Sequence, residues 1–85
     1  MLTRYIRAAM AHAHYELLPD GEGFYGHIPE LRGVWANADS LEACREKLQD
    51  ALEGWILLRV RFGRSIPALD GIAIQVSTEQ VSEVA

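Results

Sequence analysis

Apolar residues in the first part of the chain recur at steps of three and four positions. This one-sided spacing is typical of an amphipathic helix. The segment is rich in alanine and contains neither glycine nor proline, so helix propensity agrees with the pattern. We therefore predict an amphipathic helix as an N-terminal unit, residues 1–13. Its apolar positions are Leu2, Tyr5, Ile6, Ala9, Met10 and Ala13.

The next part of the chain alternates short strand-like runs with turn signals. Strands are predicted over residues 14–18, 24–28 and 34–38. The first two are separated by the sequence Pro-Asp-Gly-Glu-Gly at 19–23, in which proline presets a turn dihedral and the glycines allow positive φ. A second turn occupies 29–33. The spacing predicts an antiparallel meander of three strands.

A change from alternating to helical periodicity follows the third strand. Either Asp39 or Ser40 can cap a helix here, and with Asp39 as the cap, Glu42 completes a capping box. The helix is predicted to run over 41–62 and to end at Gly63. The apolar stripe predicted for it consists of Leu41, Cys44, Leu48, Ala51, Leu52, Trp55 and Phe62.

A fourth strand is predicted where apolar and polar residues alternate again, over 72–76. A helix between the third and fourth strands favours a right-handed crossover to a parallel neighbour. We expect an α+β fold in which the long helix covers a mixed four-stranded sheet, with residues 14–76 as the main domain. The polar tail, residues 77–85, is expected to fray.

Composition narrows the class of protein. Eighty-five residues make one domain, and the apolar content of 49% argues against disorder. The net charge of −4 argues against nucleic acid or an anionic membrane as the main partner and suits a basic protein instead. The single cysteine, Cys44, excludes an internal disulfide. With no signal peptide and no membrane-spanning run predicted, we expect a cytoplasmic protein.

An ordered set of motifs resembles the HicB family of antitoxins from bacterial and archaeal toxin–antitoxin pairs. The resemblance covers roughly residues 14–76. A glycine-rich turn is followed by Phe-Tyr-Gly-His-Ile-Pro-Glu-Leu-Arg-Gly-Val at 24–34, which contains a P-x-L-x-G pattern. A capped helix opens with Asp-Ser-Leu-Glu-Ala at 39–43 and contains Leu-Gln-Asp-Ala-Leu-Glu-Gly-Trp at 48–55. Residues 63–67 complete the pattern.

This resemblance implies a degraded ribonuclease H-like β-β-β-α-β unit, to which this chain adds an N-terminal helix. It implies that the protein neutralises a HicA-like toxin, a small basic enzyme that cleaves messenger RNA, by occlusion, and that it forms dimers or tetramers. Many members carry a C-terminal DNA-binding module, which is not found here, so we expect no direct DNA binding. The alternative is a solitary homo-oligomer with a regulatory or structural role and no toxin partner.

A working nuclease of the ribonuclease H type would need several carboxylates that converge on paired cations. The first strand offers only Glu16, and the predicted fourth strand contains no acid, since Asp70 precedes it. The acids of the helix fall mostly on its polar side; they are Glu42, Glu46, Asp50 and Glu53. We therefore expect no enzyme activity and no catalytic residue.

Three histidines and the cysteine are the remaining candidates for chemistry. His12 and His14 flank the helix-to-strand junction, and His27 could approach His14 across the hairpin. A structural zinc site usually needs four ligands, whereas Cys44 falls on the apolar stripe of the helix. We expect these residues to be structural, with no metal and no cofactor.

Two surfaces are expected to bind partners. Asp20, Glu22 and Glu42 supply negative charge that would steer a basic toxin. Tyr25 and Trp35 are expected to point away from the long helix and, with Tyr5, to form an oligomer interface. The N-terminal helix packs either on its own sheet or across a dimer, and the sequence leaves both open.

Overall fold

Residues 2–75 are described by a computed structural model, which has two helices and a three-stranded sheet. A 3₁₀ turn, Pro19–Gly21, joins the first two strands. The predicted α+β fold is confirmed, and Val76 and the tail 77–85 lie outside the described residues. In chain order the elements are α1 (Leu2–Ala11), β1 (His14–Leu17), β2 (Phe24–His27), β3 (Trp35–Ala38) and α2 (Leu41–Arg61).

The sheet is an antiparallel meander in the order β1-β2-β3, as the turn signals predict. Gly26, at its centre, is the partner of Tyr15 on one side and Ala36 on the other. These three residues face α2: a Cβ at position 26 would lie 3.2 Å from Cys44 Sγ. His27, paired with Trp35, therefore faces away from the helix.

The long helix begins where the sequence allowed two caps. Ser40 is the one used, since its hydroxyl oxygen accepts a hydrogen bond from the Ala43 backbone N–H at 3.1 Å. This bond satisfies one of the otherwise unpaired N–H groups of the first turn. Glu42 also lies in the first turn, where its charge complements the helix dipole.

The buried side of α2 differs from the predicted stripe at both ends. Leu41 and Phe62 are 47% and 67% exposed, whereas Ile56, which the prediction omitted, is only 4% exposed. Four-residue steps keep side chains on nearly the same face, and Ile56 continues such a row. Phe62 is the C-cap residue and has already left the helix. The buried row consists of Cys44, Leu48, Leu52 and Ile56.

The N-terminal helix packs within its own protomer, but mainly against α2 rather than on the sheet as one of the two predicted arrangements had it. Tyr5 and Ala9, one turn apart, have no exposed surface and join the core. The Tyr5 hydroxyl donates a hydrogen bond to the carbonyl of Pro67, so this side chain also holds the segment after α2. The prediction that Tyr5 forms an oligomer interface is therefore wrong, because a fully buried side chain has no surface for a second subunit.

The predicted fourth strand, residues 72–76, is not formed in its described part, 72–75. Leu69 and Ile72 instead pair in an isolated antiparallel bridge around Asp70 and Gly71. Both turn residues have positive φ, 51° and 75°, which is the hallmark of a tight hairpin turn. The alternation of apolar and polar residues is nevertheless explained by the packing, because Ile72 and Ile74 are half-buried against the core while their neighbours are exposed.

Candidate functional site

Four carboxylates gather at one end of the sheet. Asp20 and Glu22 lie in the β1–β2 loop, and Asp39 and Glu42 lie where β3 passes into α2. The two segments touch at Gly23: a Cβ there would be 2.4 Å from the Ala38 carbonyl oxygen. Gly23 also has a φ of +95°, so only glycine allows this close approach.

The predicted partner-binding residues Asp20, Glu22 and Glu42 are all exposed on this acidic end. No lysine or arginine occurs in residues 18–24 or 38–43, the two segments that form it. Like charges on two neighbouring segments create a negative potential that attracts cationic partners over about a Debye length, ~8 Å at physiological salt. The acidic end is therefore suited to electrostatic attraction.

The outer face of the sheet carries a row of aromatic rings. Tyr25 stacks on His27 and on Trp35, with ring centroids 5.4 and 6.3 Å apart, and His14 lies 5.8 Å from His27. Trp35 is 55% exposed. As predicted, Tyr25 and Trp35 point away from α2 and the two histidines approach each other. His27 Nδ1 is buried without a hydrogen-bond partner in the described part of the chain.

The carboxylates that a ribonuclease H-type site would need do not converge in the described part of the structure. Glu16 lies on the outer face beside Tyr25, its partner in the register. Asp70 is held by His12, and the acids of α2 are exposed on the side of the helix away from the sheet. Among residues 2–75 no group of three His, Cys, Asp or Glu side chains is placed to hold a metal ion.

A cluster of His12 with two carboxylates connects three segments of the chain, and the sequence indicated the histidine without its partners. His12 Nδ1 lies 3.0 Å from Glu30 Oε2, and His12 Nε2 lies 2.9 Å from Asp70 Oδ1. Carboxylates only accept hydrogen bonds, so both ring nitrogens donate when the imidazole is protonated. The bonds to Asp70 and then Glu30 raise the pKa of His12 above its usual value. The residues are up to 58 positions apart, and no local pattern in the sequence joins His12 to Glu30 or Asp70.

Cys44 lies in the core beneath the sheet, on the opposite face from His14 and His27. It has no exposed surface, and its thiol donates a long hydrogen bond of 3.7 Å to the Ala36 carbonyl oxygen. Burial raises the pKa of the Cys44 thiol. A buried thiol that stays protonated is a poor nucleophile.

The turn between β2 and β3 is held by α2. The Trp55 indole N–H donates to the Arg32 carbonyl oxygen at 3.0 Å. The Arg59 guanidinium lies 4.6 Å from the centroid of the Trp55 ring and donates to the Ser65 carbonyl oxygen. Trp55 and Arg59 therefore have structural roles, whereas Arg61 is exposed on the far side of the helix.

These features define a small α+β protein with an acidic end and an exposed aromatic face on its sheet. The family described as UPF0150-like matches residues 4–67, and the chain belongs to that family. A similar solved structure is that of TTHA0281 from Thermus thermophilus, with 47% sequence identity, a TM-score of 0.83, and coverage of 89% of this chain and 94% of that chain. Comparison with the curated proteins finds no match. No helix within residues 2–75 has the length and apolar character to cross a bilayer.

Proposed function

We propose that this protein acts by binding rather than by catalysis, as a HicB-like antitoxin that neutralises a HicA-type, messenger-RNA-cleaving toxin. The HicB-like motifs fall on elements that the structure forms: the β1–β2 hairpin, the turn at 29–33 and the capped helix α2. The ribonuclease H-like ancestry of the fold belongs to the same proposal.

The acidic end is the observation that carries the proposal. Asp20, Glu22 and Glu42 project from two segments that contain no basic residue and that Gly23 holds together. A toxin that binds RNA must present a basic surface, because phosphate contacts dominate RNA affinity. The acidic end would attract that surface, and contact around it would cover the face that RNA needs. A protein in this role needs no catalytic group and no cofactor.

The test combines co-expression with charge reversal. The chain is expressed with the product of the adjacent reading frame, and growth rescue and co-purification are measured. We expect Asp20→Lys/Glu22→Lys/Glu42→Lys to slow association and to remove most of its dependence on salt, because the steering charge is reversed. The matched control, Glu16→Lys/Glu46→Lys/Asp50→Lys, changes net charge equally at exposed sites outside the acidic end.

The two triple variants separate steering by the acidic end from an effect of total charge. Equal loss in both variants would show that only net charge matters. Unchanged association in the first variant would remove the acidic end from the interface. A neighbouring protein that neither harms growth nor binds the chain would contradict the antitoxin role itself.

The second candidate is a solitary homo-oligomer with a regulatory or structural role. The outer sheet face favours it, because Tyr25 and Trp35 form an exposed aromatic surface that a second copy could cover. We keep these two residues as the proposed sheet-side interface. Self-association without any toxin-like neighbour in the genome, abolished by Trp35→Glu, would favour this candidate over the antitoxin.

A further inference from the structure

The C-terminal half of α2 is apolar on the side that faces away from the sheet. Leu57 is 68% exposed, and Leu58 and Val60 are 54% and 45% exposed. At 100° per residue, Leu57 lies opposite Leu48 and Leu52 of the buried row. The protomer leaves about half or more of each of these side chains uncovered, and clusters of this kind mark interaction surfaces.

The exposed residues border a groove between the two helices. The groove has a volume of about 580 Å³. Glu53 lies at its edge, and Ile74, almost the last described residue, closes one side. Its apolar lining consists of Leu2, Ile6, Ile56, Leu57, Val60 and Ile74.

A glycine interrupts the same side of the helix. Gly54 lies one turn before Leu57 and Leu58, and a Cβ at that position would have no atom within 4 Å. Glycine in a helix interior costs about 1 kcal/mol relative to alanine. No contact within the described protomer accounts for it. A glycine on a helix surface lets another chain approach closely.

Charges on the two sides of Leu57 have opposite sign. Glu53 lies four residues before it and Arg61 four residues after it, and both are exposed. If a second α2 runs antiparallel with the twofold axis at Leu57, then each Glu53 lies opposite the other copy's Arg61. Gly54 and Arg61, seven residues apart, share one flank of α2, so the same axis brings the other copy's Arg61 side chain past Gly54. One operation thus pairs unlike charges and gives the arginine stem room above the glycine as it reaches towards Glu53.

We propose that two copies of this chain associate through antiparallel α2 helices that cross at Leu57. Glu53–Arg61 ion pairs form on both sides of the axis, and each Arg61 stem passes over the other copy's Gly54. The interface is separate from the acidic end and from the aromatic sheet face, so it leaves both available. It does not depend on the proposed antitoxin role, because the partner is the chain itself.

The first test introduces one further cysteine into the full chain and measures disulfide cross-linking. At a twofold axis a residue meets its own copy, so Leu57→Cys should form a disulfide-linked dimer under mild oxidation. Glu46→Cys is the matched control on the same side of α2, since its two copies would lie about 30 Å apart at 1.5 Å rise per residue. The wild-type protein, whose one cysteine is the buried Cys44, shows whether that thiol cross-links by itself. Equal cross-linking at positions 46 and 57, or none at 57, overturns the proposal.

The second test is a charge swap, measured by sedimentation equilibrium of the chain alone with helicity checked by circular dichroism. Glu53→Arg should weaken dimerisation about tenfold by replacing two attractions with two repulsions. Adding Arg61→Glu should restore it. Leu57→Glu should abolish the dimer, whereas Leu17→Glu, at a leucine 73% exposed on β1, should not. A monomer at all concentrations, no rescue in the double variant, or a dimer lost only in Trp35→Glu overturns the proposal.

Discussion

The two halves of α2 share one buried side and differ on the other. In the first half, Cys44 and Leu48 are buried, and the opposite side carries Glu46 and Asp50. In the second half, Leu52 and Ile56 are buried, but the opposite side carries Leu57 and Leu58 at the surface. The protomer's core therefore specifies only one side of this helix.

This difference has a thermodynamic meaning. A leucine that is exposed in both the folded and the unfolded chain contributes little to the free energy of unfolding of the protomer. Its apolar area is removed from water only when a partner covers it. Stability of the fold and affinity for a partner are thus separate properties of opposite sides of one helix, and substitutions can change either alone.

The largest difference in the effect on the free energy of unfolding is expected between two leucines of α2 that lie five residues apart. Leu52→Ala should lower the free energy of unfolding by about 2–5 kcal/mol, because it removes buried methyl groups and leaves a cavity. Leu57→Ala should change it by less than about 0.5 kcal/mol. Urea unfolding at low protein concentration measures both, so that self-association does not add to stability. Similar losses in the two variants would show that Leu57 belongs to the protomer core.

Two glycines extend the contrast to the backbone. Gly23→Ala should lower the free energy of unfolding by about 1–3 kcal/mol, because the new Cβ meets the Ala38 carbonyl and the φ of +95° is strained. Gly54→Ala should raise it by about 1 kcal/mol, since helix propensity improves and no atom lies near. The same unfolding assay measures both. A destabilised Gly54→Ala variant at low concentration would reveal a contact within the protomer.

Local patterns predict most of the elements in this chain. Strand and helix boundaries follow from alternation, from turn residues such as those at 19–23, and from the cap before Leu41. The structure of residues 72–75 was harder to predict. Alternation indicates that Ile72 and Ile74 face the core, but it does not determine whether the backbone pairs with a strand. Here the Asp70–Gly71 turn closes a bridge back to Leu69 instead.

The surfaces were only partly predictable. Charge alone indicated Asp20, Glu22 and Glu42 as a partner-binding set. That they lie at the same end of the sheet depends on the close approach at Gly23, which the sequence does not show. The sequence gave no signal that His12 contacts Glu30 and Asp70, since tertiary packing brings these residues together from distant positions. The apolar outer side of α2 was obscured because hydrophobic residues surround the second half of the helix, and periodicity does not identify which of them a protomer buries.

The smallest effect is expected just after the C-terminal end of α1, where His12 hydrogen-bonds to Glu30 and Asp70. Because its pKa is raised, His12 stabilises the fold fully below its usual value of about 6.5, and this contribution is lost as pH rises through the raised pKa. The pKa of Glu30 is lowered by its own backbone N–H and then by His12, so its contribution is lost as pH falls below about 4.5. His12→Ala should therefore lower the melting temperature most near pH 5.5 and scarcely at pH 9, a modest shift because the His12 side chain is 28% exposed. Asp70→Asn is the control, because asparagine tolerates the left-handed turn and the change removes one charge. It should lower the melting temperature less, with the same dependence on pH. A shift that is independent of pH in either variant would mean that packing, not protonation, holds this end of α1.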